Sequence, residues 1–152
     1  MAAITHHVLM VDDNQADIDL TSETLSRILI GSDVQTVPDG VEAMEYLTRA
    51  GKYGGVTTPD LVILDLNLPR KDGRSVLLAV KSDPELRKIP VVIFSTSQSE
   101  HDIGTSYALG ANSYINKPGN LSDYVATITS LAKYWFATVK LAVQGEQCEQ
   151  EL

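Results

Sequence analysis

The sequence predicts an α/β fold, a doubly wound parallel sheet of five strands with helices on both faces, and three observations carry that prediction. Short apolar runs alternate with stretches whose apolar residues recur at spacings of three and four, the signature of repeated strand–helix units. Five such units follow one another in 152 residues, a length that suits one domain. The third run, Leu61-Val62-Ile63-Leu64, is apolar without alternation, as a central parallel strand covered on both sides must be.

The first run, Val8 to Val11, leads into Asp12, Asp13 and Asn14 as potential caps of a helix with Ala16, Leu20, Leu25, Ile28 and Leu29 inward, stopped by Gly31. The second run, Val34 to Val37, alternates apolar and polar residues and belongs at a sheet edge. Pro38-Asp39-Gly40 then opens a helix with Ala43, Met44 and Leu47 on one face, ending near Gly51. Gly51 to Pro59 reads as an exposed loop. After the third run, a loop with Pro69 and Gly73 enters the third helix. The fourth run, Pro90 to Phe94, ends in Ser95-Thr96-Ser97 and its helix reaches about Leu109-Gly110. The fifth, Ser113 to Asn116, ends in Lys117-Pro118. Leu121, Val125, Ile128, Leu131, Ala132, Trp135 and Val139 place a last helix over 121–139, about 29 Å long at ~1.5 Å per residue. Residues 1–140 are thus expected as a single domain and 141–152 as a polar, disordered tail.

Composition excludes several classes of function. Twelve Lys plus Arg face twenty Asp plus Glu, a formal charge of −8, so non-specific nucleic-acid binding lacks its driving force. No apolar stretch approaches the ~20 residues of a spanning helix, and residues 1–7 lack the regions of a signal peptide; no membrane association is expected. The single cysteine, Cys148, permits no internal disulfide or cysteine zinc cage, which suits a reducing cytoplasm. It reads as incidental, as do His6, His7 and His101.

The functional crevice of a doubly wound sheet lies beyond the carboxyl ends of its strands. There the sequence places Asp12 and Asp13, Asp65, Ser95 and Thr96, and Lys117. Singly, each has an ordinary reading as a helix cap, turn residue or polar strand end; their joint placement on one edge is what points to chemistry. Crowded carboxylates need a cation between them, and hard oxygen ligands suit Mg²⁺ or Mn²⁺. Mg²⁺ commonly completes its shell with phosphate oxygens, which Lys117 and Ser95 could bind, and Asp65 could serve as a nucleophile.

These residues resemble the receiver domains of two-component response regulators, with 30 positions from Asp65 to Ser95 and 22 from Ser95 to Lys117. The resemblance implies a flavodoxin-like sheet of order 2-1-3-4-5. It implies that Asp65 takes a phosphoryl group from a sensor histidine kinase, that Asp13, Asp65 and the backbone carbonyl of Asn67 hold the metal, and that Asp12 acts largely through a metal-bound water. Ser95 and Lys117 would contact the phosphoryl oxygens, Tyr114 would be the switch aromatic, and the Lys117–Pro118 peptide is expected cis. The stretch from Asp65 to Arg74, the glycine-rich loop before Pro59 and Tyr134-Trp135-Phe136 make the chain similar to the stand-alone regulators of cyanobacterial phytochromes, since fewer than 20 residues follow Lys133.

Three other readings compete. A phosphatase of the haloacid dehalogenase type would carry a second acid where Asn67 stands, and a flavodoxin would carry a phosphate-binding loop where Asp12 to Gln15 stand. A static scaffold would not need the intact set of site residues. Trp135 and Phe136 project past the expected core, and covering them by a second copy predicts a two-fold homodimer; the alternative is that both fold back on their own sheet edge.

Overall fold

A computed structural model of the protein describes residues 5–142. Five parallel strands, β1 (His7–Val11), β2 (Asp33–Val37), β3 (Leu61–Leu64), β4 (Val91–Ser95) and β5 (Ser113–Asn116), pair in the order β2-β1-β3-β4-β5. Helices α1 (Gln15–Ile28), α2 (Gly40–Leu47), α3 (Gly73–Ser82), α4 (Glu100–Ala108) and α5 (Leu121–Lys133) follow them in turn. Two 3₁₀ turns, Gly51–Tyr53 and Leu86–Lys88, lie in the connections.

Because successive strand residues point to opposite faces, each apolar run supplies two cores. Leu9, Val11, Val62, Leu64, Val91 and Ile93 pack with α2 and α3 through Ala43, Leu47, Val76, Leu77 and Val80. Val8, Met10, Leu61, Ile63, Val92 and Phe94 pack with α1 and α5 through Ile18, Leu25, Tyr124, Ile128 and Leu131. Strand β2 pairs only with β1, at the sheet edge as expected, and the adjacent Gln35 and Thr36, which point to opposite faces, are both exposed there. All five α-helices start on a side-chain cap: Asn14, Asp39, Asp72, Ser99 and Asn120 each accept an amide two or three residues on, worth ~1 kcal/mol apiece. Of the three candidate caps after β1 only Asn14 is used, which leaves Asp12 and Asp13 free for other work.

The helix faces differ from the expected ones at three points. Ala16 is exposed, and Ile18, Thr21, Thr24 and Leu25 form the buried stripe of α1, because Ala16 lies on the side of the helix away from that stripe. Leu121 is also exposed, since α5 meets the sheet only from Tyr124 onward. The last helix does not run unbroken to Val139. Its α winding ends at Lys133 and Tyr134–Thr138 form a π-turn, closed by the Val139 amide on the Tyr134 carbonyl at 3.0 Å. The wider i→i+5 winding sets the neighbouring rings of Trp135 and Phe136 half-buried against the core of α1 and α5. The tail expected over 141–152 lies, from residue 143 on and with Cys148, outside the described residues.

Glycine fixes one junction. A Cβ on Gly73 would fall 2.2 Å from the Asp65 carbonyl oxygen and 2.7 Å from the Leu66 Cα, so α3 begins flush against the backbone that follows β3. Gly73→Ala is expected to lower stability by about 2–3 kcal/mol in urea unfolding, since neither backbone atom can yield. Gly104→Ala, within α4 where nothing lies within 4 Å, is expected to raise it by up to ~1 kcal/mol through helix propensity. Equal effects in the two variants would refute this account.

Candidate functional site

Two adjacent strand ends create the centre of the site. Val11 of β1 and Leu64 of β3 are in register, so Asp12 and Asp65 leave the sheet side by side. The Asp65 amide continues the ladder to the Val11 carbonyl at 3.0 Å. Each carboxylate is then aimed by the amide two residues on: Asn14 N–H donates to Asp12 Oδ1 at 2.9 Å, and Asn67 N–H to Asp65 Oδ1 at 3.2 Å. Carboxylate oxygens of Asp12, Asp13 and Asp65 lie within 4.8 Å of one another, with Asp12 and Asp65 buried and Asp13 exposed.

Lys117 enters from the other half of the sheet. Its amide bonds the Ser95 carbonyl at 2.8 Å, extending the β4–β5 ladder. Its ammonium crosses beneath the site and donates to Asp12 Oδ2 at 2.7 Å, Asp17 Oδ2 at 2.9 Å and Asp65 Oδ2 at 3.1 Å. It also lies 5.7 Å from the centre of the Phe94 ring. Burial alone would lower the Lys117 pKa, but the hydrogen bonds it donates to Asp12 and Asp17 and the charges of Asp12 and Asp65 outweigh that and raise it. Burial raises the pKa of Asp12, with the Asp65 charge adding to it and Lys117 and the Asn14 amide opposing.

The sum of charges identifies what the site accepts. Asp12, Asp13, Asp17 and Asp65 face one ammonium that contacts all but Asp13. The donor set is oxygen throughout, clustered at the exposed mouth, and that chemistry fits a hard divalent cation such as Mg²⁺ or Mn²⁺.

Ser95 is buried on the β4–α4 side, and its hydroxyl accepts the Ser97 amide at 3.2 Å. The loop after it is held from β5. Asn116 Nδ2 donates to the carbonyls of Ser95, Thr96 and Ser97 at 3.1–3.2 Å, and the Tyr114 hydroxyl donates to the Ser97 carbonyl at 2.7 Å. Ser97 Oγ in turn donates to Asp102 Oδ2 at 2.6 Å, and Asp102 also pairs with Arg74 of α3; the hydroxyl first and the guanidinium second hold the Asp102 carboxyl below its usual range.

The structure therefore gathers Asp12, Asp13, Asp65, Ser95 and Lys117 on one edge, as their sequence positions imply. Tyr114 is half-buried beside them, and Asn67 follows Asp65 on the rim. The Lys117–Pro118 peptide, expected cis, is trans, as no cis bond occurs among the described residues; trans is the form that even an X–Pro amide prefers. Trp135 and Phe136 sit at the far end of α5, away from this edge. Phe136 packs against His6 with ring centres 4.5 Å apart and planes tilted by 40°, and Trp135 lines a groove of about 820 Å³ between β5 and α5 with Ile115, Leu131 and the exposed Tyr134. Two partners escape a reading of the sequence. Asp17 reads as an ordinary acidic first-turn residue, yet it stands one helical turn from the Asn14 cap and reaches Lys117. Tyr124 reads as core, but its hydroxyl meets Thr21 Oγ1 at 2.8 Å and the Asp17 carbonyl at 3.3 Å, and burial pushes its pKa up to about 12.

Known proteins are similar to this chain in sequence and fold. The family model of the response regulator receiver domain matches residues 8–129. Response regulator Rcp1 of Synechocystis sp. is 40% identical over 134 residues, spanning 88% of this chain and 91% of the relative. The crystal structure of the phosphorylated cyanobacterial phytochrome response regulator RcpA superposes with a TM-score of 0.90 at 46% identity, over 92% of this chain and 100% of its own. The Mn²⁺-bound form of Rcp1 superposes with a TM-score of 0.87 at 39% identity, over 91% of this chain and 99% of its own.

Replacing Lys117 by methionine leaves Asp12 and Asp65 buried without a counter-charge, and breaking such a pair from one side costs roughly 3–5 kcal/mol. Lys117→Met is expected to lose about that much in urea unfolding at neutral pH in the presence of chelator. A carboxyl whose folded-state pKa lies above its unfolded value is penalised when ionised, and the penalty fades as pH falls through the raised value. The deficit should therefore shrink in mildly acidic buffer, and a deficit independent of pH would refute the assignment of Asp12 as the stranded charge.

Proposed function

Because this chain belongs to the response regulator receiver family, we propose that it works as the phosphoacceptor of a two-component phosphorelay, with Asp65 as the residue phosphorylated. The observation that carries this reading is the buried Lys117 ammonium shared by Asp12 and Asp65 beneath a carboxylate cluster. A carboxylate oxygen of Asp65 attacks the phosphorus of a kinase phosphohistidine; the P–N bond breaks, and its electron pair stays on the imidazole nitrogen, which takes up a proton. Lys117 exchanges part of its bonding to Asp65 for a phosphoryl oxygen, and the Ser95 hydroxyl donates to another. Asp13, Asp65 and the Asn67 carbonyl would hold Mg²⁺, with Asp12 reaching it through water. When bound, the cation offsets the negative charge of the phosphoryl oxygens as they approach the carboxylates. Hydrolysis reverses the state: water attacks the phosphorus, the acyl phosphate P–O bond breaks, and the carboxylate and inorganic phosphate are restored. The chain thus promotes its own phosphorylation and its slow reversal.

Phosphorylation adds close to two negative charges beside Lys117 and Ser95. Ser95 is coupled through its loop to Tyr114, so movement at the phosphoryl group would reach the face formed by α4, β5 and α5. The likeness to Rcp1 and RcpA supports a phytochrome as the sensor kinase, acting in the cytoplasm, with residues 1–140 as one receiver unit. The exposed Tyr134 and the groove beside Trp135 support a homodimer built on α5 and its π-turn.

Intact-protein mass after incubation with acetyl phosphate tests the reading. One phosphoryl group is expected with Mg²⁺ and none without it. Asp65→Asn is expected to abolish labelling while leaving the circular dichroism unchanged; retained labelling would refute Asp65, and no labelling of the parent chain would favour a static scaffold. For the dimer, Trp135→Ala combined with Phe136→Ala is expected to elute later in gel filtration, and an unchanged volume would remove the aromatic interface.

A further inference from the structure

The loop from Leu66 to Asp72 carries Asn67 and joins β3 to α3, and in its middle Arg70 has φ +66°. That left-handed conformation is unfavourable for a side chain with a Cβ, and it persists only where its surroundings over-determine it. The turn closes locally, the Lys71 amide donating to the Pro69 carbonyl at 2.8 Å, and two contacts from the neighbouring unit hold it in place. Arg70 Nη1 donates to Asp39 Oδ2 at 3.2 Å, and Asp39 is only 4% exposed, its other oxygen being occupied by the Glu42 amide at 2.8 Å as the cap of α2. Beside it, a Cβ on Gly40 would fall 1.9 Å from the Lys71 carbonyl oxygen, so the start of α2 lies directly on the loop backbone. An exposed ion pair is worth little, and the Arg70 side chain is 57% exposed; here, however, one partner is a buried carboxylate for which the guanidinium is the cation at hand.

We propose that Arg70 and Asp39 are positioning residues for the metal-binding loop: their ion pair holds the left-handed turn that aims the Asn67 carbonyl toward Asp13 and Asp65. This rests on the metal assignment above. Among the described residues neither side chain hydrogen-bonds to Asp13, Asp65 or Asn67, so their effect would pass through the backbone. Without the pair, Arg70 relaxes to a right-handed or extended conformation and the chain between Asn67 and Gly73 changes direction.

The test is the Mn²⁺ dissociation constant of the full chain, read from the electron paramagnetic resonance signal of the free ion, with urea unfolding of each variant alongside. Asp39→Asn keeps the helix cap, since asparagine caps as well as aspartate, but removes the charge. Asp39→Asn and Arg70→Ala are expected to weaken Mn²⁺ binding roughly tenfold, as loss of a partner behind a ligand commonly does, with both remaining folded. Arg70→Lys, which keeps the charge, and Arg70→Gly, which adopts the left-handed turn without cost, are each expected to recover most of the affinity. Unchanged affinity in Asp39→Asn and Arg70→Ala would overturn the proposal while leaving the metal site standing. Equal weakening in Arg70→Gly and Arg70→Ala would overturn it too, because the turn would not be the cause. A parent chain that binds no Mn²⁺ would instead overturn the metal assignment itself.

Discussion

One buried ammonium group organises this molecule. Lys117 reaches from the end of β5 to carboxylates at the ends of β1 and β3 and in the first turn of α1. It thereby ties the two halves of the sheet at the point where their strands stop pairing. Burying a charge is costly unless it is paired and hydrogen-bonded. Three acceptors meet that need for the lysine, and the lysine meets it for Asp12. The pairing is incomplete on the acidic side, and the excess of negative charge is what makes the site chemically ready.

The rest of the fold delivers these groups. Parallel strands all end at the same edge, so one residue beyond each strand lands in the same crevice. Apolar runs serve both faces of the sheet, and the caps let helices begin at once after short turns. The Gly73 junction shows how tight the delivery is, because α3 rests on the carbonyl of Asp65, whose carboxylate belongs to the acidic cluster.

Much of this was legible in the sequence because it is local. An apolar run followed by an acid or a lysine states both the strand and what lies at its end, so Asp12, Asp65, Ser95 and Lys117 could be placed from linear order alone. What depends on packing between elements was not. Asp17 looks like any acidic first-turn residue until Lys117 crosses 100 positions of sequence to meet it. Ala16 and Leu121 are apolar and fit a helical period, but each falls on the outward side of a first turn whose buried members are Ile18 and Tyr124. The π-turn at Tyr134–Thr138 hides in a period that continues smoothly to Val139, since sequence spacing does not register a local change of winding. Arg70 carries no local sign of its left-handed backbone, which the buried Asp39 of another unit helps to hold.

The Asn116 amide that grips three successive carbonyls of the β4–α4 loop has a mechanical consequence. With Ser95, Thr96 and Ser97 fastened to one side chain, and Ser97 fastened to Asp102, the loop has little slack with which to absorb a small displacement. Strand β4, the tip of β5 and the first turn of α4 are therefore geared together: a push delivered at Ser95 is either resisted by the whole train or turns all of it.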